Sequence, residues 1–252
     1  MSILVTGGSR GLGKAIAAAL TQAGKSVVAV TRDDADLSRM EEVRRLAENV
    51  AARHPDLDVL INNAGLSKFK RELTPEGLET TFAVNYMAPF VLSNLLLPVL
   101  AQNRGMVVSI GSEQHRWVRA IPWDDLQGER RFEPIRQYSL TKLYLALFTR
   151  ELARRAPDVV ASCVSPGFMR TDLGRDARGA FRMFLTLARP FQSSAGEGAA
   201  AVIDLLNQRA TGAYYRGSRQ VAPSRLALDD AAAVKLWELS LGRYPLQSPQ
   251  LG

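Results

Sequence analysis

The chain is predicted to fold as α/β: a doubly wound parallel sheet with helices on both faces. Three observations predict this. An apolar strand, Ser2 to Thr6, runs straight into a glycine turn, Thr6-Gly7-Gly8-Ser9-Arg10-Gly11-Leu12-Gly13. Short apolar runs then alternate with amphipathic stretches of helical period. Small and polar residues collect where apolar runs end, at Asn62-Asn63-Ala64-Gly65, Gly111-Ser112 and Ser165-Pro166-Gly167.

Each element follows from its pattern. Gly13 to Ala23 is Ala-rich and reads as helix, and Ser26 to Thr31 reads as a second buried strand. Met40, Val43, Leu46, Ala47 and Val50 recur at helical spacing, so Ser38 to Arg53 is a helix with Ser38 as its N-cap. Leu57 to Ile61 is the next strand. Thr74-Pro75-Glu76 starts a helix, with Thr74 as cap and Pro75 at its first position, and helix continues with a break to about Leu100. Gly105 to Ile110 is a strand, residues 116–134 are irregular, and Tyr138 to Arg155 is a long amphipathic helix. Val159 to Val164 is a strand and residues 174–197 a helical excursion. Gly198 to Asn207 is helix, Ala213 to Arg216 extended, and Asp229 to Leu241 a last helix.

The 252 residues fit one domain spanning 1–252, with no internal repeat or linker. With 46% hydrophobic and 23% charged residues, the composition is that of an ordinary globular protein. The single cysteine, Cys163, excludes an internal disulfide framework and is expected to pack as a small hydrophobe. A net charge of +7 and a pI near 9.8 could attract anionic partners. The Arg residues are scattered over helical segments beside Glu, however, so no nucleic acid is expected. His54 and His115 lack the neighbours of a metal site, so no metal is expected. His115, near Ser112, reads as structural, with a place in the lining of the site as the alternative. The first strand begins at Ile3, and the apolar run Met87 to Leu100 carries Asn94 and Pro98 and is short for a bilayer. No membrane anchor and a cytoplasmic location are the expectation.

The chemistry-bearing residues come next. A glycine turn between a strand and a helix lets backbone approach a pyrophosphate and points N–H groups and the helix N-terminus at it. The spacing here is G-x-x-x-G-x-G. Arg32 just beyond the second strand, with Arg10 in the turn, favours a cofactor with a 2′-phosphate over one with a free 2′-hydroxyl. NADP(H) is therefore preferred, with NAD(H) the alternative. Tyr138 and Lys142 lie one helical turn apart, and a nearby ammonium lowers a phenol's pKa from its usual ~10. Ser112, past a strand end, could polarise a carbonyl oxygen, and Asn85 begins a helical segment where an Asn is often only a cap.

These motifs occur in the order seen in short-chain dehydrogenases/reductases, and the chain resembles that family over its whole length. The match comprises Thr6-Gly7-x-x-x-Gly11-x-Gly13, Asn62-Asn63-Ala64-Gly65, Asn85, Ser112, Tyr138-x-x-x-Lys142 and Ser165-Pro166-Gly167. Tyr138-Ser139-Leu140-Thr141-Lys142-Leu143, Val84-Asn85-Tyr86, Ser112 with His115, Asp125-Leu126 and Lys235-Leu236-Trp237-Glu238 are similar to the retinol dehydrogenase-like branch. The resemblance implies a Rossmann-type sheet and hydride transfer between a nicotinamide cofactor and a carbonyl or alcohol. It implies Tyr138 as acid/base, Lys142 as ribose ligand and tuner of Tyr138, Ser112 as orienter of the carbonyl, and Asn85 as holder of a relay water. It further implies cofactor contacts from Gly7, Ser9, Arg10, Gly11, Leu12, Arg32, Asp36, Leu37, Asn63, Ala64, Gly65, Tyr138, Lys142, Pro166, Gly167, Met169 and Thr171. Asp36-Leu37 resembles the adenine-contacting pair. One departure stands out. Only Asp33, Asp34 and Ala35 separate Arg32 from Asp36, where the family has a helix and most of a strand. The region after the second strand is thus shortened and a strand there can be at most a stub.

A substrate lid is expected at about 174–197, where Phe181, Met183, Phe184, Leu185, Leu187 and Phe191 interleave with Arg175, Arg178, Arg182 and Arg189, implying an apolar substrate. The alternatives are a non-redox isomerase or dehydratase on this fold, or a non-catalytic NADP(H)-binding regulator. The partner is a small-molecule carbonyl or alcohol. A homodimer through helices 85–100 and 138–155 is the family's usual arrangement.

Overall fold

The structure is a computed structural model that describes residues 2–167 and 194–244. Its strands are β1 (Ser2–Thr6), β2 (Ser26–Val30), β3 (Leu57–Asn62), β4 (Met106–Ile110), β5 (Val160–Ser165), β6 (Tyr214–Arg216) and β7 (Arg219–Gln220). They form one sheet in the order β2-β1-β3-β4-β5-β6-β7. β1 to β6 run parallel and β7 returns antiparallel. The helices are α1 (Gly11–Gln22), α2 (Met40–Arg53), α3 (Thr80–Gln102), α4 (Pro134–Arg155), α5 (Ala195–Gln208) and α6 (Asp230–Arg243).

Alternation along the strands sends side chains to two cores. Ile3, Val5, Val59, Ile61 and Val108 pack with Ile16 and Leu20 of α1 and with Val202 and Leu205 of α5. Leu4, Leu60 and Val107 point the other way, into a larger core built with α2, α3 and α4. The sheet is therefore covered on both faces, as expected. Cys163 is buried in the second core, and a Cβ on Gly111 would lie 2.7 Å from its sulfur.

The shortened segment has the predicted consequence. Among the described residues no strand forms between Val30 and Leu57, so β2 is the edge of the sheet. Two predicted helix starts need correction. Ser38 does not cap α2: its hydroxyl donates to Asp36 Oδ1 at 2.7 Å. The α2 N-terminus is instead met by the Glu76 carboxylate, which accepts from the N–H groups of Met40 at 2.8 Å and Glu41 at 3.3 Å. Thr74-Pro75-Glu76-Gly77 is accordingly a turn, not a helix start. It is closed by Gly77 N–H to Thr74 O at 2.9 Å, with Gly77 at φ +77°. The helix begins at Thr80, where the buried Glu79 carboxylate accepts from Thr81 and Phe82 N–H at 2.8 Å each.

α3 contains a π-turn, Ala83–Met87, between α-helical stretches. The continuous helix is longer than the apolar run suggested. At 23 residues it is long and apolar enough to cross a membrane, but 83% of its apolar window is buried inside the fold. α4 begins at Pro134, a turn earlier than the periodicity indicated, because proline fits the first turn of a helix. β7 and the 3-10 turn Arg225–Leu228 are too short to leave a pattern. Ser194 and Glu197 form a capping box that opens α5, so the end of the expected helical excursion belongs to that helix. Residues 174–193 lie outside the described residues.

α6 lies across α3 and α4. The Trp237 ring meets Phe90 at 5.0 Å and Phe148 at 5.9 Å, Tyr86 shares a 2.6 Å hydrogen bond with Ser240, and Arg155 sits 4.8 Å over Trp237. α6 thus covers part of the two helices on which the homodimer expectation rests. This packing predicts a large loss of stability for Trp237→Ala. We expect about 3–5 kcal/mol, measured by urea denaturation with the slope unchanged.

Candidate active site

The glycine turn and the loop after β3 are stapled by one residue. Thr6 Oγ1 accepts from Asn63 N–H and Ala64 N–H at 3.0 Å each and donates to Ile61 O at 3.4 Å. Asn63 Nδ2 returns to Thr6 O at 2.7 Å. The loops approach so closely that a Cβ on Gly13 would lie 2.4 Å from Asn63 Nδ2, and Gly7 itself stands at φ +70°. Ser9, Arg10 and Gly11 are exposed at the carboxyl edge of the sheet, with Leu12 half-buried behind them. Arg10 occupies the N-cap position of α1, and its side chain does not cap the first turn. Its N–H groups therefore suit an anion.

Farther along that edge, Leu37, Ala64 and Val84 line one small cleft together with Thr6, Asn62 and Pro89. Leu37, of the Asp36-Leu37 pair, and Ala64 thus line the same crevice. Asp36 is held by its own turn. Its carboxylate accepts from Ser38 N–H at 3.0 Å and pairs with Arg32 at 3.2 Å, and these contacts hold its pKa low against the upward pull of burial. The Asp34 carboxylate is likewise turned onto Thr31, whose N–H and hydroxyl both donate to it at 2.8 Å. Arg32 stays on the outside, with 85% of its side chain exposed.

The four predicted catalytic residues converge beyond β3 and β4. Tyr138 lies in the second turn of α4 and Ser112 just beyond β4, with the serine hydroxyl near enough to act on the Tyr138 phenol. Ser112 Oγ also accepts from Gln114 N–H at 3.3 Å, capping the 3-10 turn Glu113–Trp117. Lys142 is 4% exposed, lies 5.5 Å from the Tyr138 ring centre and donates to Ile110 O at 2.8 Å. Burial pushes Tyr138 up to about 12 and Lys142 down to about 8. The expected lowering of Tyr138 by Lys142 is not what this arrangement produces: desolvation prevails, and Ser112 is the group that opposes it.

Asn85 sits in the middle of the α3 π-turn, a helix irregularity often found at functional sites. Its Oδ1 accepts from Leu66 N–H, and its Nδ2 donates to Leu66 O, each at 2.8 Å. Nδ2 also reaches Thr141 Oγ1 at 3.2 Å. Its amide thus clamps the chain just beyond Gly65. A Cβ on Gly65 would lie 3.4 Å from Asn85 Oδ1 and 3.7 Å from Lys142 Nζ. Pro166 and Gly167 follow β5 on the same edge, while Met169 and Thr171 lie outside the described residues.

Sequence reasoning named Thr6 only as the first residue of the glycine motif, with no role of its own, and gave Thr141 no part in the site. Thr6 carried one signal, its place as the last strand residue before the turn. His115 is structural, as expected: it is wholly buried and bonded on both ring nitrogens. Among the described residues no group of three or more His, Cys, Asp or Glu could hold a metal ion.

The residues fit a dinucleotide. The glycine cradle at the N-terminus of α1 suits the pyrophosphate. The comparisons agree. The model of the short chain dehydrogenase family matches residues 1–40 and 34–180. "Putative daunorubicin C-13 ketoreductase DnrU" of Streptomyces sp. (strain C5) is 34% identical over 95% of this chain and 91% of its own length. Retinol dehydrogenase 14 of Homo sapiens is 30% identical over 95% of this chain and 84% of its own. The crystal structure of an uncharacterised protein from Mycobacterium Paratuberculosis superposes with a TM-score of 0.76 at 30% identity, covering 98% of this chain and 94% of that one. The chain belongs to the short-chain dehydrogenase/reductase family, in its retinol dehydrogenase-like branch, and is a nicotinamide-dependent oxidoreductase.

Proposed function

We propose that this protein is an NADP(H)-dependent reductase of ketones or aldehydes on apolar small molecules, working in the cytoplasm. The observation that carries the reading is the convergence of Tyr138, Ser112 and Lys142 beside the glycine cradle. The nicotinamide, when bound, supplies the hydride. Tyr138 gives its phenolic proton to the carbonyl oxygen, and with its pKa near 12 it is fully protonated at neutral pH. Ser112 Oγ orients the same oxygen. The Lys142 ammonium, held at Ile110 O, favours the negative charge that develops on it. Gly7, Ser9, Arg10, Gly11 and Leu12 would hold the pyrophosphate end, and Leu37, Ala64 and Gly65 the nucleoside.

Two further observations support the finer choices. Asp34 and Asp36 are turned onto their own backbone, while Arg32 faces outward. An exposed Arg–Asp pair is worth ~1 kcal/mol or less, so Arg32 can exchange Asp36 for a phosphate at little cost. The apolar substrate is supported by Phe69, Trp117 and Ile135, which are large and exposed. Each lies on a segment leading from a site residue: the loop after Gly65, the turn after Ser112 and the start of α4. The ketoreductase relative points to the same reaction class.

Tyr138→Phe removes only the hydroxyl. Turnover of a carbonyl panel should fall by about 10²-fold or more with NADPH binding retained, and a wild-type rate would overturn the reading. Titration should give tighter binding of NADPH than of NADH, with the advantage reduced in Arg32→Ala; equal affinities in the wild type would sink the preference. For Lys142 the sign is fixed by burial, which disfavours its charged form. kcat/KM, which reports the free enzyme, should drop as pH rises through about 8, where the ammonium is lost. In Lys142→Arg that alkaline limb should move upward. A limb that stays in place belongs to another group.

A further inference from the structure

The turn that follows Ser112 carries His115, whose ring is wholly buried. Its Nε2 accepts from the main-chain N–H of Ser224 at 2.9 Å. An N–H can only donate, so Nε2 carries a lone pair and the ring proton sits on Nδ1. Nδ1 lies 2.7 Å from Ser112 O and donates to it. The neighbours therefore fix one neutral tautomer. Without the ring, Ser112 O would keep the long 3.2 Å bond from His115 N–H.

The surroundings brace this arrangement. The ring packs 4.8 Å from Tyr214, whose hydroxyl donates to Glu113 at 3.1 Å. Glu113 in turn pairs with Arg116 of its own turn and with Arg216 of β6. Arg116 also donates to Ala222 O, beside Ser224. The imidazole is the pin that joins the Ser112 backbone to the 222–224 loop.

We propose that His115 is a positioning residue: its neutral imidazole holds the Ser112 main chain so that the serine hydroxyl meets Tyr138. The inference rests on the hydride-transfer reading of Ser112 and Tyr138. It makes a second claim about acid. Protonation would place a hydrogen on Nε2 against the Ser224 N–H, donor against donor, and open the clasp. The charged and titratable groups facing the ring are Glu113 and Arg116 on its own turn and Tyr214 and Arg216 on β6. Ala222, Pro223 and Ser224 add none. Burial is the largest influence, and together with the two guanidiniums it outweighs Glu113, so the ring titrates below its usual 6.5.

The test compares wild type with His115→Ala, His115→Asn and His115→Gln, recording kcat, KM and melting temperature from about pH 5 to pH 8. His115→Ala should lose about 10–100-fold in kcat with little change in KM, since misplacing a catalytic group acts on the chemical step. Asn, whose amide N–H can stand where Nδ1–H stood, should restore most of that loss. Gln, which reaches only the Nε2 position, should not. Wild-type kcat should decline on acidification with a midpoint below 6.5, and the Asn variant should lack that limb. Should the alanine variant fail to fold, the Asn–Gln contrast decides alone. Equal losses in Asn and Gln that track melting temperature, or an acid limb unchanged in Asn, would overturn the inference and leave His115 a packing residue. Tyr138→Phe in the same assay separates the two claims. An inactive Tyr138→Phe beside wild-type behaviour in every His115 variant sinks the clasp alone; an active one sinks the reading beneath it.

Discussion

The parallel register of β1 to β6, sealed by helices on both faces, is the constraint from which the site follows. Parallel strands joined by helical crossovers leave every carboxyl end on one edge, where the chain must turn and its backbone groups need new partners. Here those partners are supplied across loops. Thr6 Oγ1 serves two main-chain N–H groups of the loop after β3 and one carbonyl near the end of β3, and Gly111 N–H bonds Val164 O at 2.8 Å. The glycines of the first turn are thus demanded twice. A cofactor needs the backbone exposed, and the neighbouring loop already lies where a Gly13 side chain would be. Cofactor cradle and sheet edge are one construction.

Burial at that edge gives the Tyr138–Lys142 pair its character. In water the two groups titrate close together. Desolvation moves them apart, Tyr138 up and Lys142 down, because each resists becoming charged where water is scarce. The resting site therefore has little stabilised charge of its own. A negative charge forming on a carbonyl oxygen beside Lys142 would meet an ammonium held by Ile110 O in a medium where Coulomb attraction is strong. A preorganised cation that water does not screen is an efficient stabiliser of such a charge.

How legible was this in the sequence? The parallel strands were read to within a residue or so, since doubly covered strands are near-continuous apolar runs. The pair Tyr138 and Lys142 was legible because helical spacing alone puts residues four apart on one face. The helix starts at Ser38 and Thr74 were misread because their true caps act at a distance or from an unfavoured residue type. Glu76 caps a helix 36 residues before it, and Glu79 stands where Ser, Thr, Asp or Asn would be expected. A local pattern cannot reveal a carboxylate that arrives through tertiary folding. The π-turn around Asn85 and the bond from His115 to a residue 109 positions later are hidden for the same reason.

The shortening after β2 shows how a turn can stand where a strand is missing. Removing a strand makes β2 the border of the sheet, with Ser26 and Ala29 exposed. Yet Leu37 still reaches the cleft with Ala64 and Val84. The turn accomplishes this through its own polar groups: Asp34 closes onto Thr31, Asp36 closes onto Ser38, and Asp36 N–H donates to Glu42 of α2 at 2.8 Å. α2 is in turn fixed by Glu76 at its N-terminus and by Tyr244, whose hydroxyl donates to Met40 O at 3.3 Å and receives Arg44 Nε at 3.2 Å. Short side chains bonded to nearby backbone can replace a strand's ladder where the chain only has to reverse direction. What the turn leaves outside is Arg32, held only by its exposed pair with Asp36.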